Sequence, residues 1–149
     1  MCTPNRRIEK KLLPLIEKTL KKEGFLSKEI IEIKGESEGQ FLEGTGSMIF
    51  NKNKENNTIF AAISLRTHEN PLKNYTDQTK GNLIKFHAKS SKNLPFYHTN
   101  ILLCIGEGFA TVCLDSIQDP IEKKLVVDNL TESGLEIIEL TLDQTEKFY

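Results

Sequence analysis

Two short motifs carry residue types suited to proton transfer and to holding a cation. Glu43 stands in Phe41-Leu42-Glu43-Gly44-Thr45-Gly46-Ser47, where the small residues after the carboxylate let the backbone turn tightly and leave the acid accessible at the mouth of a strand. His98 stands in Tyr97-His98-Thr99-Asn100, just before a long apolar run; an imidazole there can titrate near neutrality and shuttle protons. Taken singly, each has a plainer reading that is also the commoner one: a surface glutamate before a glycine turn, and a structural histidine at a sheet edge. The EGTGS stretch is not a phosphate loop, because the lysine and spacing of that motif are absent. His87, inside a strand pattern, and His68, in a polar loop, offer nothing beyond structural roles.

A thiol beside His98 would add a nucleophile, and the candidates are Cys104 and Cys113. Six residues of continuous strand between His98 and Cys104 would span about 20 Å, far beyond hydrogen-bond reach. Cys113 lies on the return strand of the same hairpin, and a turn near Gly106–Gly108 would set it opposite Asn100 or its neighbours; a buried free cysteine is also commonly a small hydrophobe. That register brings Asp115 or Ser116 across from His98, where Asp115 could orient the imidazole or simply end the strand.

The elements that must position these groups follow from periodicity. Ile8, Leu12, Leu15, Ile16 and Leu20 recur at helical spacing over residues 6–23, with Gly24 as a stop and Pro14 kinking the helix or starting its second part near Leu13. The lysines on its other side read as a solvated face. Short β-type runs follow at Ile30–Ile33, Ser47–Phe50 and Thr58–Leu65, the last two joined as a hairpin. A short helix within NPLKNYTDQTKG precedes a strand at Leu83–His87. The run ILLCIGEGFATVCL predicts a hairpin whose continuous apolarity suits strands buried on both faces. Asp119-Pro120 opens a helix to about Ser133, Gly134 closes it, Leu135–Leu140 forms a strand, and TLDQTEKFY begins a helix with no visible end. Hairpin, helix, strand thus occurs twice, over residues 41–87 and 98–140.

Composition narrows the function classes. With 149 residues, 38% of them hydrophobic, 5 prolines and 9 glycines, the chain reads as one globular domain over residues 1–149, opened by a helix at 5–24. Its 20 basic and 21 acidic residues leave a formal charge of -1, with no electrostatic footprint for nucleic acid or an anionic membrane. The N-terminus has no apolar run of signal or membrane-span length, so the expected location is cytoplasmic. Three cysteines and three histidines without paired spacing argue against a disulfide framework and a zinc site, and no cofactor is expected.

Read together and in order, NRRIEKK, FLEGTGSMIF, the Arg66-Thr67 pair and FYHTNILLCIGEGFATVCLDSI resemble the amidinotransferase and arginine-deiminase superfamily, and within it the subfamily that includes the citrulline-utilisation hydrolases. The resemblance spans Asn5 to Phe148. It implies an α/β fold, part of a five-bladed α/β propeller (the pentein fold) with about half the blades present. It implies that Glu43 binds guanidino or ureido nitrogens and orients the histidine, that His98 is the general acid and base, and that Asn100 is a polar partner near the site. Arg66 is implied as a contact for a substrate carboxylate. The expected substrate is a small arginine- or citrulline-like molecule, attacked by a cysteine thiolate and then either hydrolysed or passed to an amine. Relatives carry an Asn-Asn-Trp segment upstream and their nucleophile in a Ser-x-Arg-Cys context near the C-terminus; neither occurs here. The expectation is therefore an inactive fragment, with three alternatives: completion by Cys113, completion by another chain, or a non-catalytic module that binds a ligand or partner. Self-association through open strand edges belongs to the same expectation.

Overall fold

A computed structural model describes residues 11–25, 33, 39–52 and 57–147. Its first helix, α1 (Leu13–Lys22), has Pro14 in its first turn, where the missing N–H costs no helical hydrogen bond; Pro14 therefore starts the helix rather than kinking it. The apolar residues Leu15, Ile16 and Leu20 of α1 are exposed, so this stripe is no part of the core. The strand expected at Ile30–Ile33 falls on residues outside those described, except Ile33, which is not in a strand.

The repeated element order is present. In the first unit, β1 (Ile49–Lys52) and β2 (Asn57–Ala62) form an antiparallel hairpin, α2 (Glu69–Thr79) crosses over, and β3 (Asn82–Phe86) returns parallel to β2. In the second, β4 (Leu103–Ile105) pairs antiparallel with β5 (Phe109–Val112), α3 (Pro120–Glu132) crosses over, and β6 (Glu136–Glu139) lies parallel to β5. Each is a separate three-stranded sheet with the hairpin's second strand in the middle. A fourth helix, α4 (Leu142–Glu146), follows with a capping box in which Thr141 and Gln144 satisfy each other's backbone N–H groups.

Because side chains alternate across a strand, β2 serves two cores. Ile59 and Ala61 pack with Met48 and Leu72 beneath α2. Phe60 and Ala62 point the other way, into a larger cluster with Ile84, Phe86, Leu103, Ala110, Val112, Val126 and Leu130. That cluster places α3 between the two sheets, against β3 of the first unit and β6 of its own.

The second hairpin departs from expectation. Its strands are buried on one face only: Leu103, Ala110 and Val112 are buried, while Cys104 and Phe109 on the other face are exposed. Apolarity had suggested burial on both faces, but β4 and β5 are short and no described element lies against their second face. The strand is also not continuous back to His98, because a 3-10 turn at Thr99–Ile101 intervenes, and the 20 Å separation expected between His98 and Cys104 therefore loses its basis.

Candidate functional site

The two motifs meet through the backbone that surrounds them. Leu42 pairs with Thr67 as an isolated antiparallel bridge, so the strand-like entry to the first motif runs beside the segment carrying Arg66. Ser64 and Thr67 exchange both backbone hydrogen bonds, at 3.1 and 3.2 Å, closing a tight turn with Leu65 and Arg66 at its tip. The backbone N–H of Glu43 donates to the Ser47 hydroxyl at 3.0 Å and lies 3.2 Å from the carbonyl oxygen of Arg66. Gly44 follows Glu43 at φ +58°, a conformation that favours glycine.

Thr99 is the joint between the motifs. Its fully buried hydroxyl donates to the carbonyl oxygen of Ser47 at 2.6 Å and accepts the N–H of Ala62 at 2.8 Å. It thereby ties the residue after His98 both to the end of the first motif and to β2. Gly46 completes the fit: a Cβ there would come within 3.1 Å of the His98 ring, so any side chain at this position would push the ring by a few tenths of an ångström.

The outcome is a close acid–base pair. His98 Nε2 and Glu43 Oε2 are 2.8 Å apart, and the two side chains are 20% and 4% exposed. The carboxylate is thus nearly sealed while one side of the imidazole remains open. Arg66 Nη1 reaches the same Glu43 oxygen at 3.7 Å with its own side chain 41% exposed. Beneath the guanidinium lies the Tyr97 ring, 4.2 Å from Arg66 Cζ to the centroid, and Tyr97 meets His98 edge-on at 4.7 Å. The Ser64 hydroxyl fastens this arrangement by donating to the Tyr97 carbonyl oxygen at 2.8 Å while accepting the Arg66 N–H at 3.1 Å.

Glu43, His98 and Arg66 are therefore together. Asn100 is exposed in the 3-10 turn and lines an open groove of about 330 Å³ shared with Cys104, Thr111 and Leu140. Asp115 is exposed in another 3-10 turn, at Leu114–Ser116. The ladder that would carry it toward His98 ends where the Cys113 N–H meets the Leu102 carbonyl oxygen at 2.9 Å. The pairing sums to 215, as with Leu103 and Val112, but both chains leave extended structure beyond that point. Cys113 is fully buried in the large apolar cluster, where it packs as a small hydrophobe.

Four positions escaped sequence reasoning. Tyr97 and Thr99 lie inside the YHTN motif itself, and Ser64 sits two residues before Arg66. His68 is the fourth: its Nδ1 accepts the Phe41 N–H at 3.0 Å, and its own N–H donates to the Phe41 carbonyl oxygen at 2.8 Å. It anchors the start of the glutamate motif from a loop that appears featureless in sequence. Among the described residues no group of three or more His, Cys, Asp or Glu side chains could hold a metal ion, and no helix is long and apolar enough to cross a membrane.

The family model described as N,N dimethylarginine dimethylhydrolase, eukaryotic, matches residues 1–149. It supports the superfamily that the motifs suggested, but not the citrulline-utilisation branch. No curated protein matches the chain. No solved structure matches it either.

Proposed function

From the membership of this chain in the N,N dimethylarginine dimethylhydrolase family, we propose that Glu43 and His98 are the acid–base centre of a guanidino-group hydrolase acting on arginine-like substrates. The observation that carries the reading is the 2.8 Å contact between the buried Glu43 carboxylate and the half-open His98 imidazole. A planar guanidinium is held well by a carboxylate through charge-assisted hydrogen bonds, and a histidine beside it can protonate the departing amine and then take a proton from water. With N,N-dimethylarginine as substrate, a thiolate adds to the guanidinium carbon, the C–N bond to the dimethylated nitrogen breaks, and dimethylamine leaves with a proton from His98. Water, deprotonated by His98, then displaces the thiolate and leaves a ureido product. Arg66 receives the substrate carboxylate and Asn100 borders the entrance. Because Cys113 is sealed in the core and the exposed Cys104 faces the Asn100 groove, which His98 does not line, the reading assigns the thiol elsewhere, to another chain or segment reaching His98. Asp115, exposed and out of register, has no part in it.

The same reading takes residues 1–149 as one unit and its two α/β repeats as blades of a five-bladed propeller. Support comes from their equivalence: one face of the first sheet is covered by α2 and the other by α3 of the next unit, while the matching second face of the β4-β5-β6 sheet exposes Cys104, Phe109 and Ile138. A further α/β unit, from another copy or a complementing chain, would cover that face.

The test is binding and turnover of N,N-dimethylarginine, alone and with candidate complementing chains. Glu43→Gln is expected to weaken binding at least tenfold. His98→Ala is expected to leave binding within a few-fold and to lower turnover by about 10²–10⁴-fold. Binding indifferent to Glu43→Gln would refute the assignment.

A further inference from the structure

The geometry points to a guanidinium cradle formed by Glu43 and Tyr97 that is occupied, in the free protein, by this chain's own Arg66; a guanidino ligand binds by displacing it. The inference rests on the acid–base reading above and adds to it an internal competitor and an aromatic floor.

Three observations support it. First, Arg66 is itself a guanidinium, and it lies where a ligand of that class would be held: one nitrogen toward Glu43 Oε2, and its plane centre 4.2 Å from the Tyr97 centroid. A carboxylate on one side and an aromatic face on the other are the two groups that best recognise a planar cation. Second, the occupancy is loose. The Nη1–Oε2 distance of 3.7 Å exceeds hydrogen-bond length, whereas His98 holds the same oxygen at 2.8 Å. Displacing Arg66 therefore breaks a long electrostatic contact and leaves the acid–base pair intact. Third, the two partners differ in freedom. Glu43 is 4% exposed and its backbone is fixed by Ser47, but the Arg66 side chain is 41% exposed at the tip of a two-residue turn. The acid stays; the arginine can swing out.

A tethered group competes at an effective concentration in the millimolar range, so it weakens every free cation by one common factor, set by how far the closed Arg66 contact is favoured over the open one. The exchange also favours one class of ligand. A bare guanidinium must overcome Arg66 and receives nothing in return. A ligand that also bears a carboxylate recovers the displaced Arg66 as a partner, which makes Arg66 both a gate and a selector for amino-acid guanidines.

The experiment is titration of the full chain with methylguanidinium chloride and, separately, with L-arginine, followed at the ring protons of His98, which His98→Ala identifies among the three histidines. Arg66→Met is expected to tighten methylguanidinium binding about tenfold while tightening L-arginine less or weakening it. Arg66→Lys, which keeps the charge but not the plane, gives a smaller shift in the same direction and serves if Arg66→Met does not melt cooperatively. Tyr97→Leu in the Arg66→Met background weakens methylguanidinium by about two- to five-fold, and Tyr97→Phe does not. Methylguanidinium binding that depends on Glu43 but is unchanged or weaker in Arg66→Met overturns self-occupancy and leaves the acid–base site standing. No response in wild type or Arg66→Met, or binding that survives Glu43→Gln, overturns the site and the cradle together.

Discussion

The two α/β units share an element order and a strand topology, yet they put their side chains to different uses. In the first, all of β2 after Asn57 is buried, one face against α2 and the other against the second unit. The loops at its ends give their hydroxyls and imidazoles to one another: Ser47, Ser64, His68 and Thr99 all hold backbone around Glu43, Arg66 and His98. In the second, the middle strand β5 alternates between buried and exposed; around its helix Asp119 caps the first turn while Glu122 accepts the N–H of His87, away from the Glu43–His98 site. A sheet closed on both sides makes a rigid base, and rigidity is what a buried carboxylate needs to stay within 2.8 Å of an imidazole. The half-open sheet supplies His98 and Thr99 from the loop entering it, while its strands hold none of the backbone around Glu43.

On this contrast, equal truncations in the two units should have unequal effects. Phe60→Ala removes a fully buried ring from the centre of the first sheet and is expected to cost about 3–5 kcal/mol, a large share of an ordinary domain's stability. Ile138→Ala, on the uncovered face of β6, is expected to cost about 1 kcal/mol or less. Urea denaturation of both variants measures the difference. Comparable losses would mean that the second face is covered in solution, as association with another unit would bring about; sedimentation of the wild-type chain would then show a species larger than one chain.

A smaller contrast concerns buried hydroxyls. Thr99→Val leaves the Ser47 carbonyl and the Ala62 N–H without the partner they share, at an expected cost of about 1–3 kcal/mol. Thr111→Val, in the middle of β5, should stay within about 0.5 kcal/mol of wild type. Thr99→Val should also weaken methylguanidinium binding several-fold, because it loosens the link between the glutamate and histidine motifs. A Thr99→Val variant that loses stability but keeps its affinity would show that this hydroxyl supports the sheet alone.

Much of this molecule was legible in its sequence, and the illegible part has a physical pattern. The hairpins and returning strands follow from β-type and apolar runs and their turn residues, α2 from the weakly patterned segment between two such runs, and α3 from Asp119-Pro120, whose carboxylate caps it by accepting from Ile121 and Glu122 N–H groups. Glu43, His98 and Arg66 were found through motif resemblance, and geometry brings them together. Apolarity misled at Cys104 and Phe109, because a hydrophobic run reports what could be buried, not whether a neighbour exists to bury it. Register misled at Asp115, because a 3-10 turn on each side of the hairpin ends the ladder that the pairing rule extends. Ser64, His68, Tyr97 and Thr99 were invisible for another reason: each acts on a residue 27 to 52 positions away, or on a neighbour's side chain, and local pattern carries no such information.

The smallest contrast lies in how the two helices begin. Asp119 caps α3 with two accepted N–H bonds, at 2.7 and 3.3 Å, so Asp119→Ala should lower stability by about 1 kcal/mol and leave ligand affinity unchanged. His68 occupies the same cap position before α2 with the right extended backbone, but no side-chain cap forms; its Nδ1 is engaged by Phe41 instead. Pro71, the third residue of α2, lacks an N–H, so a capping side chain at 68 could reach only the Asn70 donor. His68→Asp therefore gains about half an ordinary cap and loses the Phe41 contact, and its net stability change should lie within about 1 kcal/mol of zero. Its affinity for methylguanidinium should nevertheless fall several-fold, because the backbone two residues before Glu43 keeps only one of its two bonds to residue 68. Stability and affinity that move together in both variants would dissolve the distinction; movement of affinity in His68→Asp alone would show that the first unit's helix entry serves the site before it serves the helix.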